Sequence, residues 1–219
     1  MRPPLDPLLA QELKSNHAAL ERTLARSREE LARGRPVRRW RTEATWVFGV
    51  SVAVMAVTAG VLLALGKASG SGLWGRAPLL ALLWISSAVC ARGALSPRGR
   101  ALQLGGLGLA VASAGALVLT RGTGLEASTL PGWVCTVSHV GVGLIPLAVA
   151  VVFLRGAVFH PLRALLAGLC VGTTGAFVGE LACTQGWRHV LGYHLSAWGL
   201  VAVITFGISR LLKPHSFAP

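Results

Sequence analysis

Cys135 and His139 stand four residues apart in one apolar stretch, and Glu180 and Cys183 stand three apart at the end of the next. On a helix either spacing puts both side chains on one face, about one turn apart. An antiparallel hairpin closed by the short basic turn 155–163 would bring both thiols to the same end, with Arg188, His189 and His194 following directly. Thiolates with imidazoles form a sulfur and nitrogen donor set that suits zinc or similar soft ions. The metal reading centres on Cys135, Cys183 and His139, and His189 or His194 supplies a fourth donor. The same two thiols would close a disulfide if their Cα atoms came within about 7 Å. Thiols are also readily oxidised, as are imidazole and the indoles of Trp133, Trp187 and Trp198. Metal, disulfide and reactive oxygen therefore all stay open as inputs. Each residue alone has a plainer reading, because His and Trp are common at membrane edges and Glu180 would reach water there. The pairing of two cysteines at one depth is what favours a sensing role. No resident cofactor is demanded by these residues, and a metal ion at the Cys/His group is the one expected candidate.

The elements that would position this group are membrane spans. The 219-residue chain is 53% hydrophobic and 13% charged, too apolar for an ordinary soluble domain. A span needs about 20 mostly apolar residues, and six stretches qualify: 46–66, 73–91, 101–120, 133–154, 162–182 and 190–209. Backbone polar groups find no water in hydrocarbon, so the spans must be helices. The fold class expected is all-α: a six-span transmembrane helical bundle preceded by an amphipathic cytoplasmic helix. The expected divisions are residues 1–44 for that helix and a basic anchor, 45–213 for the membrane domain, and 214–219 for a cytoplasmic tail.

A formal charge of +13 raises the question of nucleic acid, but the charge is distributed by side. Six spans put both termini together, and seventeen Lys/Arg fall on their side, against Lys67, Arg76, Arg121 and Arg188 on the other. The positive-inside rule then places both termini in the cytoplasm of a bacterial inner-membrane protein. The basic surplus serves topology and anionic lipid, with no direct nucleic-acid partner. Cys135 and Cys183 thereby face an oxidising space, and the lone Cys90 and Cys170 act as small apolar residues without a role.

Residues 8–33 read as one helix ended by Gly34 and Pro36. Turned at 100° per residue, Leu9, Leu13, Leu20, Leu24 and Leu31 fall within about 60° of one another. That stripe needs a partner: a groove on another protein, a second copy in a homodimer, or the membrane surface. Acids mixed among the bases favour a docking helix for a cytoplasmic protein. In the fifth span Gly168, Gly172, Gly175 and Gly179 also fall within about 60°, a small-residue face for pressing against a neighbouring backbone in the bundle or across a dimer. No Cys-x-x-Cys, nucleophile elbow or phosphate-binding glycine loop occurs, so the chain is not read as an enzyme.

At these residues the chain resembles the integral-membrane anti-sigma factors called negative regulator of sigma F. The resemblance rests on a cytoplasmic segment before six spans and on Cys135 in Gly-Trp-Val-Cys-Thr opening the fourth span. It rests further on Cys183 in Gly-Glu-Leu-Ala-Cys-Thr after the fifth, on the glycine-rich stretch 165–179 and on the His/Trp segment that follows. It covers about residues 40–213, and Thr184 stands where the family often has proline. The length and arginine-rich make-up are also similar to those of the light-responsive anti-sigma factors of bacterial carotenogenesis. The resemblance implies a protein that holds an extracytoplasmic-function sigma factor at the membrane and releases it on stress, with heavy metal or photosensitised singlet oxygen as input. The leucine stripe would be the docking surface and the Cys/His group the sensor. The competing class is a small transporter or metal-handling protein, which the lack of mid-membrane ionisable groups disfavours. A third class is a haem-binding membrane redox protein using His139 and His194, and both competitors rank well below the regulator.

Overall fold

The structure, a computed structural model, describes residues 20–29, 40–97, 99–123, 131–155 and 159–212, and every regular element among them is helical. The chain divides into two compact units, Met1–Arg39 and Trp40–Pro219. In the first unit residues 20–29 form helix α1. Leu20 and Leu24 of the leucine stripe are exposed on it; Leu9, Leu13 and Leu31 lie outside the described residues.

The second unit holds six helices long and apolar enough to cross a membrane: α2 (Trp40–Ala64), α3 (Gly70–Leu95), α4 (Arg100–Leu119), α5 (Trp133–Arg155), α6 (Pro161–Ala182) and α7 (Trp187–Leu211). It is a multi-pass membrane protein. The helix α2 starts six residues ahead of the expected span, so Trp40 and Arg41 of the basic anchor already belong to it. Its polar residues do not interrupt it, because Thr45, Ser51 and Thr58 each donate a hydroxyl to the carbonyl four residues back. At its start α3 is capped by Ser69, whose Oγ accepts from the Gly72 N–H at 3.1 Å.

The helices are not equivalent. In α6, 78% of the apolar window is buried, against 17% in α2. The bundle is therefore built around α6, which packs on α3, α5 and α7. Its glycine face explains how. An added methyl group at Gly168 would strike the Ala202 backbone, but at Gly172 it would fall in the Trp198 ring, at Gly175 in the His139 ring, and at Gly179 against the His194 ring. Backbone contact thus accounts for one of the four glycines, and the other three make room for rings. In lipid, helix association depends on such close packing, since the apolar tails leave no hydrophobic drive between helices. Trp198 is further held by its Nε1–H, which donates to the Leu169 carbonyl at 2.8 Å.

The final helix is irregular where it matters. After one α turn (Trp187–His189), Val190–Leu195 is a π-helical turn, and Ser196–Leu211 resumes as α-helix. Such insertions occur mostly as single turns and frequently at functional sites.

Candidate sensing site

The site lies at the end of the bundle where α5 begins, α6 ends and α7 begins. Cys135 is in the first turn of α5. Cys183 caps α6, its N–H donating to the Gly179 carbonyl at 2.9 Å. His189 closes the first turn of α7 and His194 lies inside the π turn. The donor atoms of Cys135, Cys183, His189 and His194 all lie within 4.8 Å of one another. Both thiols are free.

The π turn is the reason that both histidines take part. Five residues apart on a regular α-helix, His189 and His194 would point about 140° away from each other. In a π turn, hydrogen bonds run from residue i to i+5 and residues five apart become neighbours. The two imidazoles accordingly meet with ring centroids 5.3 Å apart. Thr136 fixes the turn by donating its hydroxyl to the Tyr193 carbonyl at 3.1 Å, and the Tyr193 ring packs against Gly132.

His139 is placed one layer deeper. It shares the inward face of α5 with Cys135, as the four-residue spacing predicts, but it is not among the four clustered donors. Its ring meets that of His194 edge-on at 5.3 Å and occupies the space left by Gly175. The metal set expected from the sequence therefore changes at this position, with His189 and His194 nearer the two thiols than His139. The physical reason is reach: an imidazole one turn below Cys135 is spent against the glycine face before it can approach the sulfurs.

Glu180 also differs from expectation. Its carboxylate turns to two arginines, with Oε2 2.7 Å from Arg121 Nη2 and Oε1 3.5 Å from Arg76 Nε. Its backbone carbonyl accepts from both arginines as well. Arg121 adds a 2.6 Å hydrogen bond to the Cys183 carbonyl, so one guanidinium holds the α6 terminus and the thiol-bearing residue together. Sequence reasoning placed Arg76 and Arg121 only as flanking charges and missed this clamp. A signal was present: Glu126 and Glu180 are the only acids after residue 43, so a buried Glu180 needed a cation from its own end of the bundle.

The cluster is polar yet poorly satisfied. Among the described residues, Nε2 of His139, His189 and His194 are all buried without a hydrogen-bond partner. Cys90 and Cys170 are different: Cys90 Sγ meets the Gly106 carbonyl at 3.3 Å and Cys170 Sγ meets Ser87 Oγ at 3.4 Å, both deep in the core. Two thiols and two imidazoles with free donor atoms can bind a soft cation, form a disulfide, or take up an oxidant.

No protein-family model matches the chain. No solved structure matches it either. Among curated proteins it is 56% identical to the carotenogenesis protein CarR of Myxococcus xanthus, over 221 aligned positions that span the whole of both chains. Identity of that order over the whole alignment, with no part of either chain left over, is kinship rather than the shared greasiness of membrane helices. The chain belongs to the family of the carotenogenesis protein CarR.

Proposed function

We propose that this chain is a membrane-bound anti-sigma factor that controls carotenoid synthesis. It holds an extracytoplasmic-function sigma factor at the bacterial inner membrane, and releases it when the Cys/His end of the bundle is altered by oxidation, by metal, or by singlet oxygen formed in light. The full-length kinship with a carotenogenesis protein carries this reading. The anti-sigma activity comes from the resemblance to the negative regulator of sigma F family, and the chemistry from the thiol–imidazole cluster. Its role is regulatory, and no catalytic step enters it. Docking is assigned to Leu9, Leu13, Leu20, Leu24 and Leu31, a reading supported by the exposure of Leu20 and Leu24. The Lys/Arg asymmetry supports cytoplasmic termini and an outward-facing cluster.

Two experiments test the two halves. Converting all five leucines to Glu should abolish co-purification with a sigma factor while leaving the membrane bundle intact; retained co-purification refutes the docking surface. A membrane-impermeant thiol reagent should label Cys135 in intact spheroplasts. Labelling that appears only in inverted vesicles reverses the orientation and refutes outward sensing.

A further inference from the structure

Three observations at the cysteine end converge. Four soft donors from three separate elements, α5, the α6 terminus and the first turns of α7, lie within 4.8 Å of one another. The imidazole Nε2 atoms of His189 and His194 are buried with no hydrogen-bond partner among the described residues, a state that leaves desolvated acceptors or donors unused. The neighbouring carboxylate is already engaged, because Glu180 faces Arg121 and Arg76 and is not available to the cluster.

We infer that Cys135, Cys183, His189 and His194 form a closed, four-coordinate site for a divalent d10 cation of the zinc type. The inference rests on the reading of this cluster as the sensing end and names the ligand that it holds. A zinc ion takes sulfur at about 2.3 Å and imidazole nitrogen at about 2.0–2.1 Å. A tetrahedron of those bond lengths has edges of about 3.3–3.8 Å. Donors already within 4.8 Å need to close by at most about 1–1.5 Å, which side-chain rotation supplies. Binding displaces one proton from each thiol, so the ion and two thiolates sum to no net charge while the imidazoles stay neutral. A neutral complex suits a membrane edge where an unbalanced charge would be costly to bury.

The site is a clamp as well as a receptor. Its ligands come from both sides of the bundle end, so the ion ties the start of α5 to the 183–194 segment. His139 stands behind His194 as a positioning residue: its ring, lodged at Gly175, meets the His194 ring edge-on. Loss of such a supporting group weakens metal sites by about 10- to 100-fold, whereas loss of a ligand costs more.

The full-length chain, purified in detergent with its thiols kept reduced, is the material for the test. It is expected to carry about one zinc per chain. After chelation, cobalt(II) should restore a tetrahedral spectrum with a thiolate charge-transfer band, and zinc should displace it. Cys135→Ser, Cys183→Ser and His194→Ala should each weaken cobalt binding by more than about 100-fold, and His139→Ala by less. Cys135→His guards against misfolding as the explanation: it keeps a donor, so it should bind cobalt with a reduced charge-transfer band. Reduced protein that takes up neither ion overturns the inference, as does binding that survives the double Cys135→Ser, Cys183→Ser change. A Cys135–Cys183 disulfide in protein whose thiols were trapped at lysis overturns it too. Sigma-factor co-purification is scored separately, so a failed metal test leaves the anti-sigma reading standing, and a failed sigma test leaves the metal site standing.

Discussion

Replacing Glu180 by Gln tests the clamp that holds the cysteine end together. The side chains of Glu180 and Arg121 are only 4% and 8% exposed, and their ion pair is 2.7 Å long. Removing one partner of a buried pair leaves the other charge uncompensated, at about 3–5 kcal/mol. Gln keeps one hydrogen bond to Arg121, worth about 1 kcal/mol, so the net loss should be about 2–4 kcal/mol. Arg76 contributes little to the carboxylate's pairing, since it is 31% exposed and its contact with Oε1 is 3.5 Å. The loss should be local, because Arg121 also holds the Cys183 carbonyl. Cys183 is the reporter: its alkylation, limited by opening of this end, should accelerate roughly 30- to 900-fold, the factor that corresponds to that loss. Cys170, fully buried in the core, is the internal control and should not change. Pairing Glu180→Met with Arg121→Met removes both charges, and a double-mutant cycle should return at least about 2 kcal/mol of coupling. An alkylation rate unchanged within twofold, or additive single effects, would refute the clamp and show that water screens the pair.

Two further outcomes follow from the same geometry. Gly175→Ala should destabilise the bundle by about 1–3 kcal/mol and disturb His139, because its methyl group would enter that ring; Gly105→Ala, with nothing within 4 Å, should be neutral or stabilise by up to about 1 kcal/mol. Unfolding of the detergent-solubilised variants measures both, and equal effects at the two sites would contradict the packing. Thiol labelling in the folded protein should reach Cys135 first and Cys90 and Cys170 only after denaturation, since the latter two are fully buried; early labelling of either, read by mass spectrometry, would contradict the core assignment.

Six spans, their helical nature and the meeting of Cys135 with Cys183 were legible in the chain because they follow from local rules. Hydrocarbon forces each span to satisfy its own backbone, so apolar length alone reports helix. An antiparallel hairpin brings its two ends to one depth whatever the side chains do. The four-residue interval from Cys135 to His139 likewise fixes a shared helix face before any partner is known. The leucine stripe of the first unit is an expectation from the same kind of periodicity, and of its members Leu20 and Leu24 fall among the described residues.

Tertiary structure decided the rest. Whether His189 and His194 turn toward each other depends on a π turn, and no periodicity in Val190–Leu195 announces one; it is held by contacts from outside, through Thr136 and Gly132 against Tyr193. Glu180 could have joined the thiols or the arginines, and the choice fell to Arg121 and Arg76, brought to it from α4's end and from α3. The glycines of α6 were recognisable as a packing face, but only the assembled bundle put the rings of Trp198, His139 and His194 into them. Spacing along one helix is set by that helix. The partner across the gap is set by how the whole bundle closes, and the composition of this site depends on that closure.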